Sequence, residues 1–503
     1  MCCVYLVTLA AESASDVALA APTIMTNDTR ATAAVIDFVT QWNLDRFPRE
    51  AISLAKQCVV DGLGVILAGS TAHGTAIVRD YVRAGREVGE ATVLGAETFS
   101  CRAASAALVN GTAGHALDFD DTQLSSSPDR IFGLLTHPTI PPLAASLAIG
   151  ERLGVSGRHF LEAYLMGLEV ECKMAEAIHP SHYENGFHSS GTFGIFGAMV
   201  TAAKLLGLNA DALANALAMT SSMSSGIRLN FGTMTKPLHV GRAAQNGVMA
   251  AELAARGHTG GKDALESPWG FFRVFTLGAG FDAKQIVGAL GNPPSIVSPG
   301  VSLKPYPCGS LGHPSMDAML KLILTHDVKP NQVRNIRLRA GSNILNPLRY
   351  PIAHTELEAK FCPAFMMSSL VLRRKAGIHE FTDEFVRSAP VQEMMKKVTT
   401  VRDAEIEARG FEKMRSIVEV DLTDGRTLVQ EADDRYRGGP EKPFSRDELH
   451  EKFTDCASLV LRPEAITETL ERLESIEQMR NIRELVGVLT AGALAAQPTA
   501  SSH

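Results

Sequence analysis

A long stretch of helical hydrophobic spacing, residues 33–290, constrains the fold of this chain more than any other feature. After Pro48, apolar side chains recur on one helix face until Gly69 can end the helix; they are Ile52, Ala55, Val59, Leu63 and Ile66. Ser156 can cap a second helix with its own apolar face. So much apolar helix without intervening strands predicts a large all-α bundle.

The pattern changes near Pro293. Residues 333–340 alternate apolar and polar side chains, which predicts a strand. A second alternating run, 417–422, leads into Asp424-Gly425, a dipeptide that supplies the positive φ of a tight hairpin turn. We therefore predict a smaller α+β domain over residues 293–440.

Helical patterning returns after Gly438-Gly439-Pro440. Ser445 and Glu448 have the spacing of a capping box, and Pro463 can begin a helix whose apolar face runs to Met479. The predicted fold is mainly α, a large all-helical domain with an inserted smaller α+β lid domain. Its parts are a disordered leader (1–32), the first part of the helical domain (33–292), the lid (293–440), the C-terminal part of the helical domain (441–492) and a disordered tail (493–503).

Composition and charge exclude several classes of partner. The chain has 48 Lys and Arg against 55 Asp and Glu and no basic tract, so nucleic acid is not an expected partner. Prolines interrupt the longest uncharged stretch, residues 131–150, which argues against a membrane span. No Lys or Arg precedes Arg30, so a signal peptide would lack its positive start. The eight cysteines form no CxxC pair, and we expect reduced thiols in a cytoplasmic protein.

The common motifs of nucleotide sites, zinc proteases and α/β-hydrolases are absent from the sequence. Clusters of polar residues in apolar sequence remain, and the first runs from His115 to Thr122. It holds Asp118, Asp120 and Asp121, three carboxylates that repel one another unless cations or solvent compensate. By itself this segment could be a turn with a helix cap, or an incomplete metal ligand set.

Histidines supply the next two clusters. His137 precedes a predicted helix and could transfer protons in a cleft near neutral pH, although a lone histidine is also common in a protein core. His179, His182 and His188 precede the small-residue run Gly191-Thr-Phe-Gly194. No carboxylate or cysteine completes a recognised metal set, so we expect no metal and place His188 in a substrate pocket.

Two lysines lie in similar Pro-containing segments. Lys236 precedes Pro237 and His239, on a loop entering a helix, where backbone N–H groups favour an anion; simple exposure is the alternative. Lys304 and Tyr306 are fixed by prolines at the predicted domain junction, with His313 a few residues later. Clefts between domains are common ligand sites.

A further segment, Lys360 to Phe365, lies deeper in the smaller domain. No one of these segments is specific by itself. Together they supply lysines, histidines and hydroxyl groups without a cofactor motif, which indicates acid–base chemistry. We therefore expect a small-molecule polycarboxylate substrate and no cofactor.

The order of these segments resembles that of the MmgE/PrpD family, which includes 2-methylcitrate dehydratase, cis-aconitate decarboxylase and iminodisuccinate epimerase. The resemblance spans about residues 35–490 and rests on five segments: His115-Ala-Leu-Asp-Phe-Asp-Asp-Thr122, His137-Pro138, Gly-Phe-His188-Ser-Ser-Gly-Thr-Phe-Gly194, Thr-Lys236-Pro-Leu-His239 and Lys304-Pro-Tyr-Pro-Cys308. It implies a large helical domain, a smaller α+β lid and a cleft between them, in a homodimer. It also implies chemistry without iron–sulfur, flavin or nicotinamide groups.

The resemblance also implies roles for individual residues. The family's active-site positions fall on Asp118, Thr122, His137, His188, Lys236 and Lys304, with His239 and His313 nearby. We expect the catalytic set to be Asp118, His137, His188 and Lys304, and the substrate-binding set to be Thr122, Lys236, His239, Tyr306 and His313. The lysines would stabilise an enolate-like charge, Asp118 or His137 would exchange the proton, and His188 would orient a carboxylate or assist a leaving hydroxide.

The same groups could serve dehydration, epimerisation or decarboxylation. The chain differs from the decarboxylase by a longer connection over 123–136 and by Gly309 in place of a second histidine, and from many relatives by Phe365 in place of tyrosine. We therefore expect a hydro-lyase for a hydroxylated di- or tricarboxylate such as 2-methylcitrate. The alternatives are an epimerase of a dicarboxylate such as iminodisuccinate and a cis-aconitate-type decarboxylase.

Overall fold

The structure is a computed structural model that describes residues 30–125, 127, 136–178, 180–410, 412–435 and 437–494. Helices account for 57% of the chain and strands for 9%, which confirms the prediction of a mainly α fold. The predicted leader up to residue 29, His179, most of the connection over 123–136 and the tail from residue 495 lie outside the described residues.

The N-terminal segment is helical apart from one small hairpin, β1 (Ala91–Val93) and β2 (Phe99–Cys101). Its helices are α1 (Ala31–Gln41), α2 (Arg49–Gly69), α3 (His73–Ala84), α4 (Ala103–Ala116), α5 (Ile140–Leu153), α6 (Gly157–Ile178), α7 (Ser181–Glu184), α8 (Ser189–Thr192), α9 (Gly194–Leu206), α10 (Ala210–Met223), α11 (Thr235–Ala255) and α12 (Phe271–Phe275). Helix α2 matches the predicted helix between Pro48 and Gly69, and Ser156 accepts a hydrogen bond from the backbone N–H of His159 at the start of α6.

The next segment mixes helices and strands. It comprises α13 (His313–Thr325), β3 (Val333–Ala340), α14 (Ser342–Leu345), α15 (Glu356–Ala359), α16 (Pro363–Arg373), α17 (Asp383–Arg387), α18 (Ala389–Met395), β4 (Val398–Arg402), α19 (Ala404–Ala408), β5 (Ser416–Leu422) and β6 (Thr427–Glu431). The sheet has the order β4-β3-β5-β6, with β3 parallel to β4 and antiparallel to β5. Both predicted strands and the hairpin are confirmed, with Val420 opposite Leu428 and Gly425 at a φ of 94°.

Three helices close the chain: α20 (Arg446–Ala457), α21 (Pro463–Glu474) and α22 (Arg483–Ala491). The predicted capping box of Ser445 and Glu448 begins α20. The predicted extension of the next helix to Met479 is wrong, because α21 ends at Glu474. The chain then turns so that the Met479 carbonyl accepts a hydrogen bond from the N–H of Gly157 at 2.9 Å.

The apolar side chains form two separate cores. The first is built from residues 31–303 together with 449–489, so the C-terminal helices pack on the helical part. The second is built mainly from residues 306–432, where α13 covers β5 and β6. The domain borders at 293 and 440, and the function of the second part as a lid, stay predictions.

Helix α2 is, within the described residues, the one helix whose length and composition would suffice to cross a membrane. Its most apolar window is 72% buried inside the protein. A core helix of a globular fold has the same character, because its apolar face has a protein partner.

Helices α4 and α11 cross closely enough to require glycine at the crossing. A Cβ added to Gly241 would lie 2.1 Å from Oγ1 of Thr112, and one added to Gly111 would lie 3.0 Å from the Cα of Gly241. The crossing sets the end of α4 beside the start of α11. These two helix ends carry the central residues of the site.

Candidate active site

Asp118 lies at the centre of a buried cluster of charges. It follows the end of α4 in a left-handed conformation, with a φ of 51°, which is strained for a residue other than glycine. Its Oδ1 accepts hydrogen bonds from Nζ of Lys236 at 2.5 Å and Nζ of Lys304 at 3.0 Å. Lys304 also donates to the Asp118 carbonyl at 2.9 Å. We call these three residues the Asp118–lysine cluster.

Long-range pairing brings the three residues together. Lys236 is in the first turn of α11, which the glycine crossing places beside the end of α4. Lys304 lies close to Asp118 because Thr122 and Ser302 exchange backbone hydrogen bonds of 2.9 and 2.8 Å. Lys304 is therefore two residues beyond a short antiparallel bridge to the Asp118 segment.

The charges of the cluster do not cancel. Burial raises the pKa of Asp118, but the ammonium groups of Lys236 and Lys304 outweigh it and hold this pKa well below its usual range. Burial lowers the pKa of Lys236, and Asp118 opposes that effect. One carboxylate between two ammonium groups leaves positive charge in a buried place, which favours an anionic ligand with more than one carboxylate.

Four histidines lie around this cluster. The ring of His115 is 4.6 Å from the ring of His137 and 5.5 Å from that of His188, and Nδ1 of His188 is 2.9 Å from Nδ1 of His239. Burial and, to a smaller extent, the nearby lysines lower the pKa of all four, that of His239 to about 4. Without a bound anion these imidazoles are neutral and can accept protons.

The tautomer of His137 follows from its partner. Its Nδ1 lies 2.8 Å from the carbonyl oxygen of Asp121, which can only accept, so Nδ1 carries the hydrogen. Nε2 is then the atom able to accept a proton. Asp120 contacts both neighbouring rings, at 2.8 Å from Nδ1 of His115 and 3.5 Å from Nδ1 of His137.

His115, Asp120 and His137 are also the one group in the described part of the chain whose ligand atoms could surround a metal ion, all within 4.8 Å. The Nδ1 atoms of both histidines already have hydrogen-bond partners, Asp120 for His115 and the Asp121 carbonyl for His137. A cation here would have to displace those bonds and would meet the field of Lys304. The arrangement fits a hydrogen-bonded acid–base group better than a metal ligand set.

Several buried polar atoms of the site make no hydrogen bond with the described residues. They are Oδ2 of Asp118, Oγ1 of Thr122, Nε2 of His115 and Nε2 of His188. Buried polar atoms in folded proteins are nearly always paired. Four such atoms together indicate a place where a polar ligand supplies the missing partners.

Aromatic rings form one wall of the site. The rings of Phe231 and Phe361 lie 5.2 and 5.5 Å from Nζ of Lys236, and Phe231 is 5.1 Å from the ring of His188. Lys236 is on α11 of the helical part, whereas Phe361 belongs to the second core. The site therefore lies where the two cores meet.

The structure brings together seven of the nine predicted site residues: Asp118, Thr122, His137, His188, Lys236, His239 and Lys304. Tyr306 and His313 have other partners. The Tyr306 hydroxyl donates to Asp317 at 2.7 Å, and Nε2 of His313 lies 3.2 Å from the Cys308 carbonyl. The ring of Tyr306 lies 5.4 Å from that of His313, and the guanidinium of Arg437 lies 5.6 Å from it.

Sequence reasoning did not assign a role to three residues at this site: His115, Asp120 and Lys360. The first two lie inside a segment that the sequence singled out, where their approach to His137 depends on tertiary structure. The sequence indicates Lys360 less specifically, since it is only a lysine in an otherwise apolar segment. His182, in contrast, is in an aromatic group with Phe187 and Phe193 and bonds Thr192, which is a structural role.

Fold and site together define a mainly helical protein with a buried cluster of lysines, histidines and aspartates. The MmgE/PrpD N-terminal domain matches residues 33–284, and the MmgE/PrpD C-terminal domain matches residues 306–476. The chain belongs to the MmgE/PrpD family, as its sequence segments predicted.

Relatives with assigned names cover nearly the whole chain. Human cis-aconitate decarboxylase is 26% identical over 87% of this chain and 90% of its own length, and the mouse enzyme is 27% identical over 87% and 89%. The cis-aconitate decarboxylase-like protein oryM of Aspergillus oryzae is 25% identical over 91% and 97%. The two mammalian relatives are thus decarboxylases, and all three relatives match most of the chain at low identity.

Proposed function

We propose that this chain is a cofactor-independent lyase that decarboxylates cis-aconitate or a close polycarboxylate analogue by acid–base chemistry. The observation that carries the proposal is the meeting of two buried lysines on one carboxylate, Asp118, with neutral histidines around it. The names of the relatives support the choice of decarboxylation over the dehydration expected from the sequence.

Substrate binding would use the positive charge of the Asp118–lysine cluster. Lys236 and Lys304 share one carboxylate oxygen, so each ammonium group retains hydrogens that a substrate carboxylate can accept. Charge-assisted hydrogen bonds of this kind are strong in a buried site, since water does not compete. Thr122 would add a neutral hydroxyl.

In the proposed decarboxylation, atoms and charge balance as follows. The bond to the leaving carboxylate breaks, its electron pair stays on carbon, and CO₂ departs. The resulting carbanion delocalises onto a neighbouring carboxylate, where the two ammonium groups would stabilise the added negative charge. One proton must then reach carbon, so a tricarboxylate trianion and one proton give CO₂ and a dicarboxylate dianion.

His137 is the best-placed proton donor. Its Nδ1 hydrogen is engaged by the Asp121 carbonyl, so Nε2 is the atom that can carry a proton to the substrate. Burial and Lys304 lower its pKa, but a bound polycarboxylate offsets the lysine field and Asp120 also favours the charged ring. Binding should therefore take up about one proton per site, measurable by calorimetry in two buffers of different ionisation enthalpy.

Dehydration of a hydroxylated acid such as 2-methylcitrate is the second candidate. The observation in its favour is that the imidazoles are neutral before an anion binds, since elimination of water begins with a base. The unpaired Thr122 hydroxyl could hydrogen-bond a leaving hydroxyl group. Epimerisation of a dicarboxylate such as iminodisuccinate would use the same base without a leaving group.

Proton NMR in D₂O with cis-aconitate, 2-methylcitrate, citrate and iminodisuccinate tests the three reactions. Decarboxylation predicts a dicarboxylate product with one deuterium on carbon and a matching release of CO₂. A new vinyl signal from a hydroxy acid would instead establish dehydration, and deuterium exchange without net loss would establish epimerisation.

The site assignment has its own control in this assay. H137N and K304A should lower turnover by about 100-fold or more, whereas H326N, at an exposed histidine after α13, should leave it unchanged. Full turnover by H137N or K304A would contradict the proposed site. The homodimer and the cytoplasmic location stay predictions, and size-exclusion chromatography with light scattering tests the first.

A further inference from the structure

A third lysine reaches the site from the second core. Lys360 lies between α15 and α16 and is 2% exposed. Its Nζ donates a hydrogen bond to the carbonyl of Ala116 at 3.1 Å, at the end of α4 and two residues before Asp118. Its backbone carbonyl accepts from the N–H of Gly309 at 2.9 Å, in the segment that carries Lys304.

The neighbour of Lys360 in the chain belongs to the site wall. The ring of Phe361 lies 5.5 Å from Nζ of Lys236. Lys360 is therefore anchored beside the Asp118–lysine cluster through its side chain, its backbone and the next residue.

Lys360 differs from every other buried lysine that the structure describes. Lys173, Lys236, Lys304 and Lys452 each have a carboxylate oxygen within 4.0 Å, and Lys360 has none. The fields of Glu356, Asp118 and Asp383 reach it from farther away, in that order of strength. An ammonium group has three hydrogens to donate, and one goes to Ala116.

A buried cation without a counter-ion is costly, so its retention calls for an explanation. Capping the negative end of α4 offers a partial one, since a cation near a helix C-terminus interacts favourably with the helix dipole. That role would also leave the remaining hydrogens without an anionic acceptor. A carboxylate of the substrate would supply this acceptor.

We propose that Lys360 binds a substrate carboxylate other than those held by Lys236 and Lys304, and so makes the site selective for tricarboxylates over dicarboxylates. The inference rests on the proposed function and extends it to the number of carboxylates required. The three lysines and Asp118 give a formal charge of +2, and the proton taken up at His137 on binding raises it to +3, which a trianion balances and a dianion does not. Lys360 is here a specificity-determining residue, since the bond-breaking step needs only the other two lysines.

The test compares two ligands in binding calorimetry. cis-Aconitate carries a cis pair of carboxylates and a third on a methylene arm, and maleate carries the cis pair alone. K360M should weaken cis-aconitate binding by about 10- to 100-fold, the usual range for one lost charge-assisted bond, and maleate binding by less than about threefold. K360Q, whose amide can still donate to Ala116, should show the same selectivity loss and carries the test if K360M does not fold.

K452M is the matched control. Lys452 is likewise a buried lysine that donates to a backbone carbonyl near Asp118, that of Phe119 at 2.9 Å, but it has Asp61 as counter-ion at 2.6 Å. K452M should lower the melting temperature and weaken both ligands in equal proportion. K360M should keep or raise the melting temperature, because methionine buries the same volume without the charge.

The outcomes separate the two proposals. Equal weakening of both ligands by K360M, or no weakening of either, would overturn the role of Lys360 while leaving the proposed function intact. A wild-type protein that binds cis-aconitate but converts no polycarboxylate would overturn the proposed function, and the ligand ratio in K360M would still decide the role of Lys360. Binding of neither ligand by wild type would overturn both.

Discussion

Two buried polar regions lie side by side in this protein, and they use opposite electrostatics. One is the Asp118–lysine cluster with its histidines. The other is a row of three buried glutamates on α6, Glu169, Glu171 and Glu176, which we call the acid row. Glu169 accepts hydrogen bonds from the N–H groups of Gly291 and Ser295 at 2.7 and 2.6 Å, and burial raises its pKa to about 7.

The remaining acids of the row bind the two ends of the connection over 123–136. Glu176 accepts from Nε2 of Gln123 at 2.7 Å, and Glu171 bonds the hydroxyl of Thr136, beside His137. Burial raises the pKa of both glutamates, that of Glu171 well above its usual range. Burial thus favours the protonated form of these acids, and their hydrogen bonds hold site segments in place.

The difference shows that burial of charged residue types does not by itself identify a site. In the acid row, burial raises the pKa of each glutamate, and Lys173 pairs with Glu176 at 3.2 Å. In the Asp118–lysine cluster the lysines hold the carboxylate ionised, and four polar atoms of the site have no partner among the described residues, against one, Oε2 of Glu171, among the three glutamates. Aspartates three residues apart illustrate both outcomes, because Asp118 is held ionised by lysines whereas burial raises the pKa of Asp121 to about 8.

The largest expected effect is a difference in the free energy of unfolding between variants of these two aspartates. At pH 6, D118N removes the carboxylate between two buried ammonium groups and should lower the free energy of unfolding by about 3–5 kcal/mol. D121N replaces an uncharged acid by an uncharged amide and should change it by about 1 kcal/mol or less. Urea unfolding measures both, and equal losses would show that the two aspartates do not differ in charge.

Substitution of a lysine should affect activity strongly in the Asp118–lysine cluster and weakly beside the acid row. K304M removes a donor to the developing charge and should lower kcat/KM by about 100- to 1,000-fold, as loss of one such donor commonly does. K173M removes the partner of Glu176, a buried acid that can take up a proton instead, and should change kcat/KM by less than about threefold. A comparable loss in K173M would place the acid row in the chemistry.

Ionisation of Asp121 should make the stability of the folded protein depend on pH. Its pKa in the folded protein, about 8, lies above the ordinary value of 3.8, so the folded state binds a proton that the unfolded state releases between these values. Its contribution is complete below about pH 4 and is lost as pH rises through 8, at a slope of up to about 1.4 kcal/mol per pH unit.

Comparison of wild type with D121N isolates that slope. Both proteins keep Glu169, whose raised pKa acts in the same direction, so only the Asp121 contribution differs. Wild-type stability should fall more steeply than that of D121N between pH 5 and 7 in chemical denaturation. Identical slopes would mean that Asp121 is ionised in the folded protein.

The smallest effect is expected at Glu171. If its carboxyl group is protonated, E171Q keeps the shape and the hydrogen bond to Thr136 and should cost less than about 1 kcal/mol. E171A leaves the Thr136 hydroxyl unpaired and a cavity beside α9, and should cost about 2 kcal/mol or more. A large loss in E171Q would show that the acid row depends on charge.

Local elements of the fold were predictable because their determinants are close in the sequence. The apolar face of α2, the alternation of β3, the Asp424-Gly425 hairpin and the Ser445–Glu448 capping box each depend on a few neighbouring residues. Helix α21 was predicted too long because an apolar repeat continues through Met479, and the bond from Gly157 that turns the chain there is a tertiary contact.

The residue types of the candidate site were predictable, but their partners were not. Lys236 and Asp118 are 118 residues apart, Lys304 and Asp118 are 186 apart, and Lys360 is 244 residues from Ala116. No local pattern reports contacts of that range. For Tyr306, which the sequence predicts to bind substrate, the structure shows a hydroxyl that donates to Asp317, a partner that no local pattern indicated.

The sequence by itself determined a mainly helical chain, its short sheet, its family and the segments that supply lysines, histidines and aspartates. Tertiary structure alone decided which of those groups are charged. A pKa depends on burial and on the charges that distant segments bring within a few ångströms, so Asp118 and Asp121, nearly adjacent in the chain, end in opposite protonation states.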